Sequence, residues 1–386
     1  MDRGIKRILF LLIRSAISGE KLTDGEFRAA SAEELSELFK LAEKHDVDHL
    51  VAQGLRQNGL LPEAAAMLDK CILKAVYRYQ QLKYDREKLL SALDAAKIPH
   101  LPLKGAVLQG YYPKPWMRTS CDVDVLVKRE HLEDATAYLL RELSYTEKER
   151  ATHDISFTTT SGNSMELHFD LVEEGRANSA SEVLGSVWSD ARLSEGSEYR
   201  YEVSDAFFYF YHIAHMAKHF ECGGCGIRPF VDLWILDSRS GIDASLRDEL
   251  LLRGGLLKFA NAARRLADVW FAGEAEDELT ARMSDFLLHG GAYGSSDNRV
   301  ALQQGKRGGR IGYIFSRLFI PYSKLKLYYP VLERHPYLMP LMQVRRWFML
   351  LRPDVAKMAK SEIAANKTIG KGEAERMQAF MKDIGL

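Results

Sequence analysis

Length, composition and charge bound the class of the protein before any motif is considered. The chain has 386 residues, of which 46% are hydrophobic, so it can bury a large core and divide into two or three domains. Lys plus Arg equals Asp plus Glu, at 53 each, so the chain lacks the basic excess that binds nucleic acid without sequence preference. This balance argues against nucleic acid as a partner of the chain as a whole.

The cysteines and the apolar runs predict the compartment. Four cysteines in so long a chain do not form a disulfide framework, which favours a reducing compartment (Cys71, Cys121, Cys222 and Cys225). An apolar stretch from Ile8 to Ile13 follows three basic residues and imitates a signal peptide, but Arg14 interrupts it, so we predict a packed amphipathic helix. Since no other apolar run reaches the ~20 residues of a membrane-spanning helix, we expect a soluble, cytoplasmic protein.

The predicted elements fall into three regions along the chain. Residues 1–97 are predicted to be helical, and one helix begins after Ser31, which has capping-box spacing to Glu34. Residues 98–200 are predicted to form an α+β unit, in which "CDVDVLV" is a strand and "HDISFTTT" pairs with "MELHFDLV" in a hairpin. Residues 201–386 are predicted to be helical again, apart from a mobile Gly- and Ser-rich loop at 289–310.

Two aspartates inside an apolar run carry the strongest chemical signal. In "WMRTSCDVDVLV", residues 116–127, the period of a strand places Asp122 and Asp124 on one face and the valines on the other. Adjacent carboxylates repel each other, and one takes up a proton unless a cation keeps both ionised. Oxygen ligands suit Mg²⁺ or Mn²⁺, so we predict a divalent metal site. A later strand offers Glu166, His168 and Asp170 on one face, and Glu166 is the predicted third carboxylate.

The segment "LPLKGAVLQG" predicts a corner for phosphate. A strand is predicted to end at Lys104, and Gly105 adopts backbone angles that let amides approach an anion closely. A helix then begins with its positive dipole end facing outward. Nearby, Arg118 has two open interpretations: it contacts phosphate, or it is a surface arginine that pairs with Asp122 or Glu130.

In combination, these motifs resemble a known superfamily. "LKGAVL", then "RTSCDVDVLV", then "MELHFDL" on a later strand is similar to the DNA polymerase β-like nucleotidyltransferases, and within them to the bacterial group known only as uncharacterised nucleotidyltransferases. The "HMAKHF" helix, "RPFVDLW" and the "HGGAYG" stretch extend the resemblance over roughly residues 30–350. The resemblance implies an α+β fold with a polymerase-β-like core, a small mixed sheet with helices, flanked by amino- and carboxyl-terminal helical regions.

The resemblance also implies an activity. It is the transfer of a nucleoside monophosphate from an NTP, such as ATP, to a hydroxyl acceptor, with two Mg²⁺ or Mn²⁺ ions and release of pyrophosphate. By the resemblance, Asp122 and Asp124 bridge the metals, and Glu166 completes the catalytic site and orients or deprotonates the acceptor hydroxyl. Lys104 and Gly105 hold the triphosphate.

One departure from the superfamily concerns phosphate binding. The superfamily commonly has Gly or Ser after the glycine, whereas this chain has Ala106, so backbone amides and Lys104 must bind the phosphates without a hydroxyl. Two alternative functions stay open: a catalytically silent nucleotide-binding scaffold or regulatory protein of the same fold, and transfer to a protein Ser, Thr or Tyr rather than to a small molecule. Three carboxylates favour an enzyme, because a binding module gains little from them.

A helix near residue 215 carries further candidates. His212, His215 and His219 fall on one helical face, and Arg228 and Asp232 follow after a turn. In one interpretation the helix closes over the active site and places His215 or His219 near the phosphates or the acceptor. In the other, these residues form a polar seam between helices in which His215 or His219 bonds to Asp232.

Two further patterns in the carboxyl-terminal half allow more than one interpretation. The first pattern is the group of His215, His219, Cys222 and Cys225, whose spacing suits zinc, although its "CGGC" lies in a Gly-rich turn. A redox role for the two cysteines would require a preceding strand, and the sequence has none there. Residues 306–352 are basic and aromatic. Such a stretch either binds single-stranded nucleic acid or an anionic membrane, or packs its rings inward and solvates its charges.

Overall fold

The amino-terminal layer is helical. The computed structural model describes residues 3–23, 25–27, 30–173, 178–349 and 362–386. The predicted capping box is confirmed: Ser31 accepts from the Glu34 backbone amide, and the Glu34 carboxylate accepts from the Ser31 amide. The first helix packs its apolar face inward, as predicted. The helices of this layer are α1 (Arg3–Ser18), α2 (Ala32–Lys44), α3 (Asp48–Gln57) and α4 (Ala65–Ala95).

A five-stranded mixed sheet follows. Its elements, with the intervening helices, are β1 (His100–Pro102), α5 (Gly105–Leu108), β2 (Asp122–Val127), α6 (Leu132–Glu142), β3 (Thr146–Arg150), β4 (Asp154–Thr158) and β5 (Ser164–His168). The strand order is β1-β2-β5-β4-β3, with β2 and β5 parallel and the other neighbours antiparallel. The predicted hairpin is therefore confirmed as β4 and β5, and it brings β5 beside β2.

The two faces of the sheet have different roles. Alternate residues of β2, including Val123 and Val125, are buried against α4 and α6, where Leu89 and Leu139 complete an apolar core. Because side chains alternate along a strand, the residues between these valines point to the opposite face. The acidic side chains of β2 and β5 therefore lie on the face away from this core.

The carboxyl-terminal part is helical after a short two-stranded sheet. The first elements are α7 (Ser179–Gly185), α8 (Val187–Asp190), β6 (Arg192–Leu193) and β7 (Tyr201–Glu202). They are followed by α9 (Asp205–Glu221), α10 (Arg228–Asp237), α11 (Ala244–Arg253), α12 (Leu257–Ala267), a π-helical turn (Asp268–Ala272) and α13 (Glu278–His289). Phe10 of α1 stacks on Trp270 of the π-helical turn at 4.3 Å between ring centroids. The two helical regions thus share one core, and the division of the chain at residues 97 and 200 stays a prediction.

The prediction of a mobile loop over residues 289–310 is wrong for residues 296–306, which form a helix. Ser295 caps a helix there by accepting from the amides of Asp297 and Asn298, and the helix buries Val300 and Leu302. Its Gly- and Ser-rich flanks hide this short apolar face in the sequence. The helix is α14 (Ser296–Lys306).

The last helices contain the basic, aromatic stretch. They are α15 (Arg310–Leu318), α16 (Tyr322–Tyr328), α17 (Val331–Arg334), α18 (Met339–Met349), α19 (362–368) and α20 (Lys371–Ile384). Tyr313 and Tyr329 are buried here, whereas Phe315, Phe319 and Phe348 are exposed, so the stretch packs only part of its rings inward. Residues 350–352 of it lie outside the described residues. Within the described part of the chain, helices that combine the length and the apolar character needed to cross a membrane are absent.

Candidate active site

Three carboxylates meet on two neighbouring parallel strands. Asp122 and Asp124 lie on β2, and Glu166 on β5 is the register partner of Asp124. Asp124 is only 2% exposed, whereas Glu166 is 27% exposed. The period-two alternation that buries the valines on one face therefore brings the three predicted acids together on the other.

Lys104 is the nearest cation to these acids. Its ammonium lies 2.7 Å from Asp124 Oδ1 and 3.7 Å from Glu166 Oε2. Burial alone would lower the pKa of Lys104, but the negative charge of Asp124 and its neighbours raises it well above its ordinary value. The backbone of Lys104 is in the left-handed region, with φ of 43°, which is uncommon for a residue with a side chain and typical of strained functional positions.

His168 supplies a second partner for the acids from the end of β5. Its Nε2 lies 3.0 Å from Asp124 Oδ1 and 3.3 Å from Glu166 Oε2. Burial alone would lower the pKa of His168, but these hydrogen bonds raise it. Burial would likewise raise the pKa of Asp124, and Lys104 and His168 instead hold it far below its ordinary value.

Asp122 lacks such compensation. One of its oxygens accepts a hydrogen bond from Ser120 Oγ at 3.1 Å. Burial, reinforced by the neighbouring charge of Asp124, raises the pKa of its carboxyl group. An ionised Asp122 is therefore electrostatically unfavourable in the chain alone, and a cation bound beside it would remove that cost.

The donor set fits a divalent metal ion. Asp124, Glu166 and His168 each present a ligand atom, and the three atoms lie within 4.8 Å of one another. Carboxylate oxygens are the ligands that Mg²⁺ and Mn²⁺ prefer, and Asp122 adds a further carboxylate on the same strand face. The raised pKa of Asp122 also indicates that the positive charge of Lys104 does not fully balance the acids.

These acids line a cavity of about 510 Å³ that is large enough for a nucleotide. Helix α9 forms part of its wall through Tyr211, His215 and His219. The two histidines face each other with 3.2 Å between their Nε2 atoms, and burial lowers the pKa of His215 well below its ordinary value. Helix α9 thus borders the same cavity as the carboxylates, and its closure over the active site stays a prediction. Tyr211, which was not predicted, is one helical turn before His215 and shares its face.

The loop that leads into β2 is fixed by a buried ion pair. Arg118 donates from Nε to Asp232 Oδ1 and from Nη2 to Asp232 Oδ2, both at 3.0 Å, and Tyr112 Oη donates to the same carboxylate at 2.7 Å. Both predicted surface partners of Arg118 are therefore wrong, because the side chain turns inward to Asp232. The proposed bond of Asp232 to His215 or His219 is also wrong, since Arg118 and Tyr112 take its oxygens.

A second contact holds the same loop. Arg228 donates to Asp46 Oδ2 at 2.7 Å and to the Thr119 carbonyl at 3.0 Å. Asp46 lies between α2 and α3, whereas Arg228 begins α10. Residues from both helical regions thus position the entry to the strand that carries the two aspartates.

The predicted phosphate corner differs from the structure in its details. The left-handed backbone lies at Lys104 rather than at Gly105. A side chain at Gly105 would place its Cβ 3.0 Å from Ser120 Oγ, so the glycine allows the loop before β2 to pack closely. The helix after it has only four residues, which limits its dipole. Gly105 and Arg118 line the cavity with the acids, whereas Ala106 lines a second cavity beside Tyr111.

The zinc interpretation of the histidine and cysteine group gains no geometric support. Cys222 is exposed and Cys225 is buried, so they face different surroundings. Across the described ranges, the groups of three or more residues that bring ligand atoms within 4.8 Å of one another include neither cysteine. Burial raises the pKa of Cys225, which disfavours the thiolate that zinc binds.

The comparisons with known proteins assign the chain to a family. A model of the family described as "Uncharacterised nucleotidyltransferase" matches residues 31–272, which is more than half of the chain and includes every acid of the site. The chain belongs to this family. The nucleotidyltransferase sheet is the polymerase-β-like core expected of it, and membership makes the chain a transferase with a nucleotide substrate. The searches of curated proteins and of solved structures gave no match.

Proposed function

We propose that this nucleotidyltransferase uses Mg²⁺ or Mn²⁺ to transfer a nucleoside monophosphate from an NTP to a hydroxyl acceptor, with release of pyrophosphate. The observation that carries the proposal is the pairing of Asp124 with Glu166 across parallel strands, beside an uncompensated Asp122, at the wall of a nucleotide-sized cavity. If these acids had only a structural role, cationic side chains would balance their negative charge, and Lys104 does not balance it fully.

Asp122, Asp124 and Glu166 are the residues that would hold the metal. When bound, two such ions stabilise negative charge on the attacking and leaving oxygens of a phosphoryl transfer. Asp124 is fixed by its backbone as well as by its side chain, because its carbonyl accepts from the Leu103 amide at 3.1 Å. The ligand atoms therefore sit on rigid strands, which is the arrangement that keeps reacting groups in place.

Lys104 changes partners in this proposal. In the chain alone its ammonium balances Asp124 and Glu166. A bound metal would supply that charge instead, and the Lys104 ammonium would then be free to bind the triphosphate and the departing pyrophosphate in the cavity. The same residue therefore keeps the acids ionised before substrate arrives and holds phosphate afterwards.

Glu166 is the residue that we assign to the acceptor. It is 27% exposed, against 2% for Asp124, and its carboxylate lies at the cavity wall. It orients the acceptor hydroxyl and takes its proton as the new bond to the α-phosphorus forms and the bond to pyrophosphate breaks. Its neighbour His168 fixes the carboxylate through the 3.3 Å contact of Nε2.

One observation favours a second candidate, a silent nucleotide-binding scaffold. Lys104 already satisfies Asp124 at 2.7 Å, which is how a protein that has no metal would keep this acid buried. The two candidates differ in what happens at Asp122, because a scaffold has no use for an uncompensated carboxylate there. Replacement of Asp122 by Asn therefore separates them.

The test uses the four NTPs labelled at the α-phosphate, with Mg²⁺ or Mn²⁺, and follows label transfer to water, to a panel of small hydroxyl compounds and to the protein itself. We expect turnover by the parent and its loss in Asp122→Asn. The matched control is Asp170→Asn, because Asp170 lies just beyond β5, the strand of Glu166, where it accepts from Arg129 and from the Val172 amide. NTP binding without turnover, unchanged by Asp122→Asn, would instead establish the scaffold.

A further inference from the structure

A second group of ligating side chains lies beside the carboxylates. His153 directly precedes β4, Asp154 begins it, and Asp154 is the register partner of His168 on β5. One ring nitrogen of each histidine and one oxygen of Asp154 lie within 4.8 Å of one another. The two imidazole rings are 5.9 Å apart between centroids, and His153 Nε2 is 3.6 Å from Asp154 Oδ2. All three side chains line the cavity of the proposed active site.

The hydrogen bonds of His168 leave one of its nitrogens for another ligand. Its Nε2 is engaged by Asp124 and Glu166, while its Nδ1 is buried and has no hydrogen-bond partner. His168 is only 5% exposed, so water does not compensate this nitrogen. A histidine that donates from one nitrogen to carboxylates and presents the other to an ion is the usual arrangement around protein-bound metals. The Nδ1 atom of His153 is likewise buried without a partner.

We propose that His153, Asp154 and His168 bind a divalent first-row transition ion, with Zn²⁺ as the best fit, in a site separate from the carboxylate site. Two imidazoles and one carboxylate suit Zn²⁺ and its neighbours in the series, whereas Mg²⁺ prefers oxygen alone. Three protein ligands leave a coordination position open, and these ligands line the cavity. His168 belongs to the surroundings of both sites and links them.

The charges around the group permit a cation. Lys218 faces His153, but it forms an ion pair with Glu173, which lines the same part of the cavity. Lys104 is held on the other side of His168 by Asp124. Any proton on His168 Nδ1 is released when the ion binds, because a metal and a proton compete for the same lone pair.

The experiment titrates chelator-treated protein with Co²⁺ alone and follows its visible absorption, which reports nitrogen ligation without any need for activity. We expect one Co²⁺ per chain to give this absorption at the histidines, and we expect Zn²⁺ but not excess Mg²⁺ to displace that ion. His153→Gln should weaken Co²⁺ binding by more than about 100-fold, since even the loss of an outer partner costs 10–100-fold. Asp154→Asn should also weaken Co²⁺ binding. Agreement between the two variants shows that the lost affinity is not a folding defect of one of them.

Two controls locate the ion. His289→Gln removes an exposed histidine at the end of α13 and should leave Co²⁺ binding unchanged. Asp122→Asn, which alters the carboxylate site, should also leave the Co²⁺ spectrum intact. The proposal is overturned if Co²⁺ does not bind, if binding is insensitive to His153→Gln and Asp154→Asn, or if excess Mg²⁺ and Asp122→Asn abolish it. Each of these outcomes is independent of whether the chain transfers nucleotides.

Discussion

Two buried clusters, each made of acidic and basic side chains, border the same cavity. They differ in how completely the positive charges of the cluster balance its carboxylates. In one, Asp232 accepts three hydrogen bonds from Arg118 and one from Tyr112, and the positive charge of Arg118 balances that of the carboxylate. In the other, Lys104 and His168 contact the carboxylates of Asp124 and Glu166, whereas Asp122 accepts a hydrogen bond from Ser120. The first cluster is electrostatically complete, whereas the second leaves Asp122 without a cation.

The difference separates a structural role from a functional one. A buried carboxylate that is fully paired holds two elements together, and the loss of either partner exposes the other to the cost of an unpaired buried charge. In the proposed function, a carboxylate whose pKa is raised by burial and by like charge is completed by a bound cation. The candidate active site is therefore distinguished by how incompletely its negative charges are balanced, and not by burial.

The largest predicted effect comes from breaking the matched pair. Asp232→Asn leaves Arg118 buried without a counter-charge, so the free energy of unfolding should fall by about 3–5 kcal/mol. Urea unfolding measures this change. The control is Asp69→Asn, which breaks the exposed pair of Arg56 and Asp69 and should cost less than about 1 kcal/mol. If Asp232→Asn costs no more than this control, then the pair does not hold the loop.

Mutation of Asp122, in the cluster whose charges are not balanced, should lower activity rather than stability. Asp122→Asn should reduce turnover by at least about 10²–10³-fold, as loss of one group that stabilises a transition state does, and should leave the protein no less stable. Asp124→Asn should also stop turnover but should destabilise the protein, because Lys104 and His168 lose their partner. Turnover and thermal melting of both variants test this contrast, and equal loss of stability in the two would contradict it.

The buried imidazole of His45 differs from both clusters of charged side chains because it stays neutral. Burial, aided by the charge of Lys44, lowers the pKa of His45 from 6.5 to about 4. The unfolded chain therefore takes up a proton as pH falls below about 6.5, while the folded chain does so only near pH 4. This contribution to stability is present above pH 6.5 and is lost as pH falls toward 4, with a total of about 3 kcal/mol.

Urea unfolding at several pH values between these limits measures the effect. His45→Leu should flatten the pH dependence, because it removes the titrating group and keeps an apolar side chain in its place. His289→Gln, at an exposed position, should retain the slope of the parent. An identical slope in His45→Leu would show that other groups carry the acid sensitivity.

A smaller effect is expected from the lysine that partly balances the acids. Lys104→Met removes the ammonium that competes with a metal for Asp124, so Mn²⁺ should bind about tenfold more tightly in the absence of nucleotide, or about 1.4 kcal/mol. The same variant should bind an NTP more weakly, because it loses a charge-assisted phosphate contact. Calorimetry with each ligand measures both changes. A loss of affinity for Mn²⁺ would contradict the competition between lysine and metal.

The parts of this account that could be predicted from sequence are those encoded locally. The alternation of valine and aspartate places Asp122 and Asp124 on one face, and the hairpin that returns the chain brings Glu166 to them. The matched pair could not be predicted, because Arg118 and Asp232 are 114 residues apart and meet only through helix packing. The position of Lys104 on Asp124 depends on an uncommon left-handed backbone for which the sequence offers no signal.

The measurement that tests the central claim most directly is Mn²⁺ binding in the presence of a non-hydrolysable NTP, followed by electron paramagnetic resonance. The account predicts that the parent and Asp170→Asn bind Mn²⁺ together with the nucleotide, and that Asp122→Asn binds Mn²⁺ at least about tenfold more weakly while its fold is retained. Equal Mn²⁺ affinity in the parent and in Asp122→Asn would contradict the account, because the uncompensated carboxylate would then have no role in holding the metal.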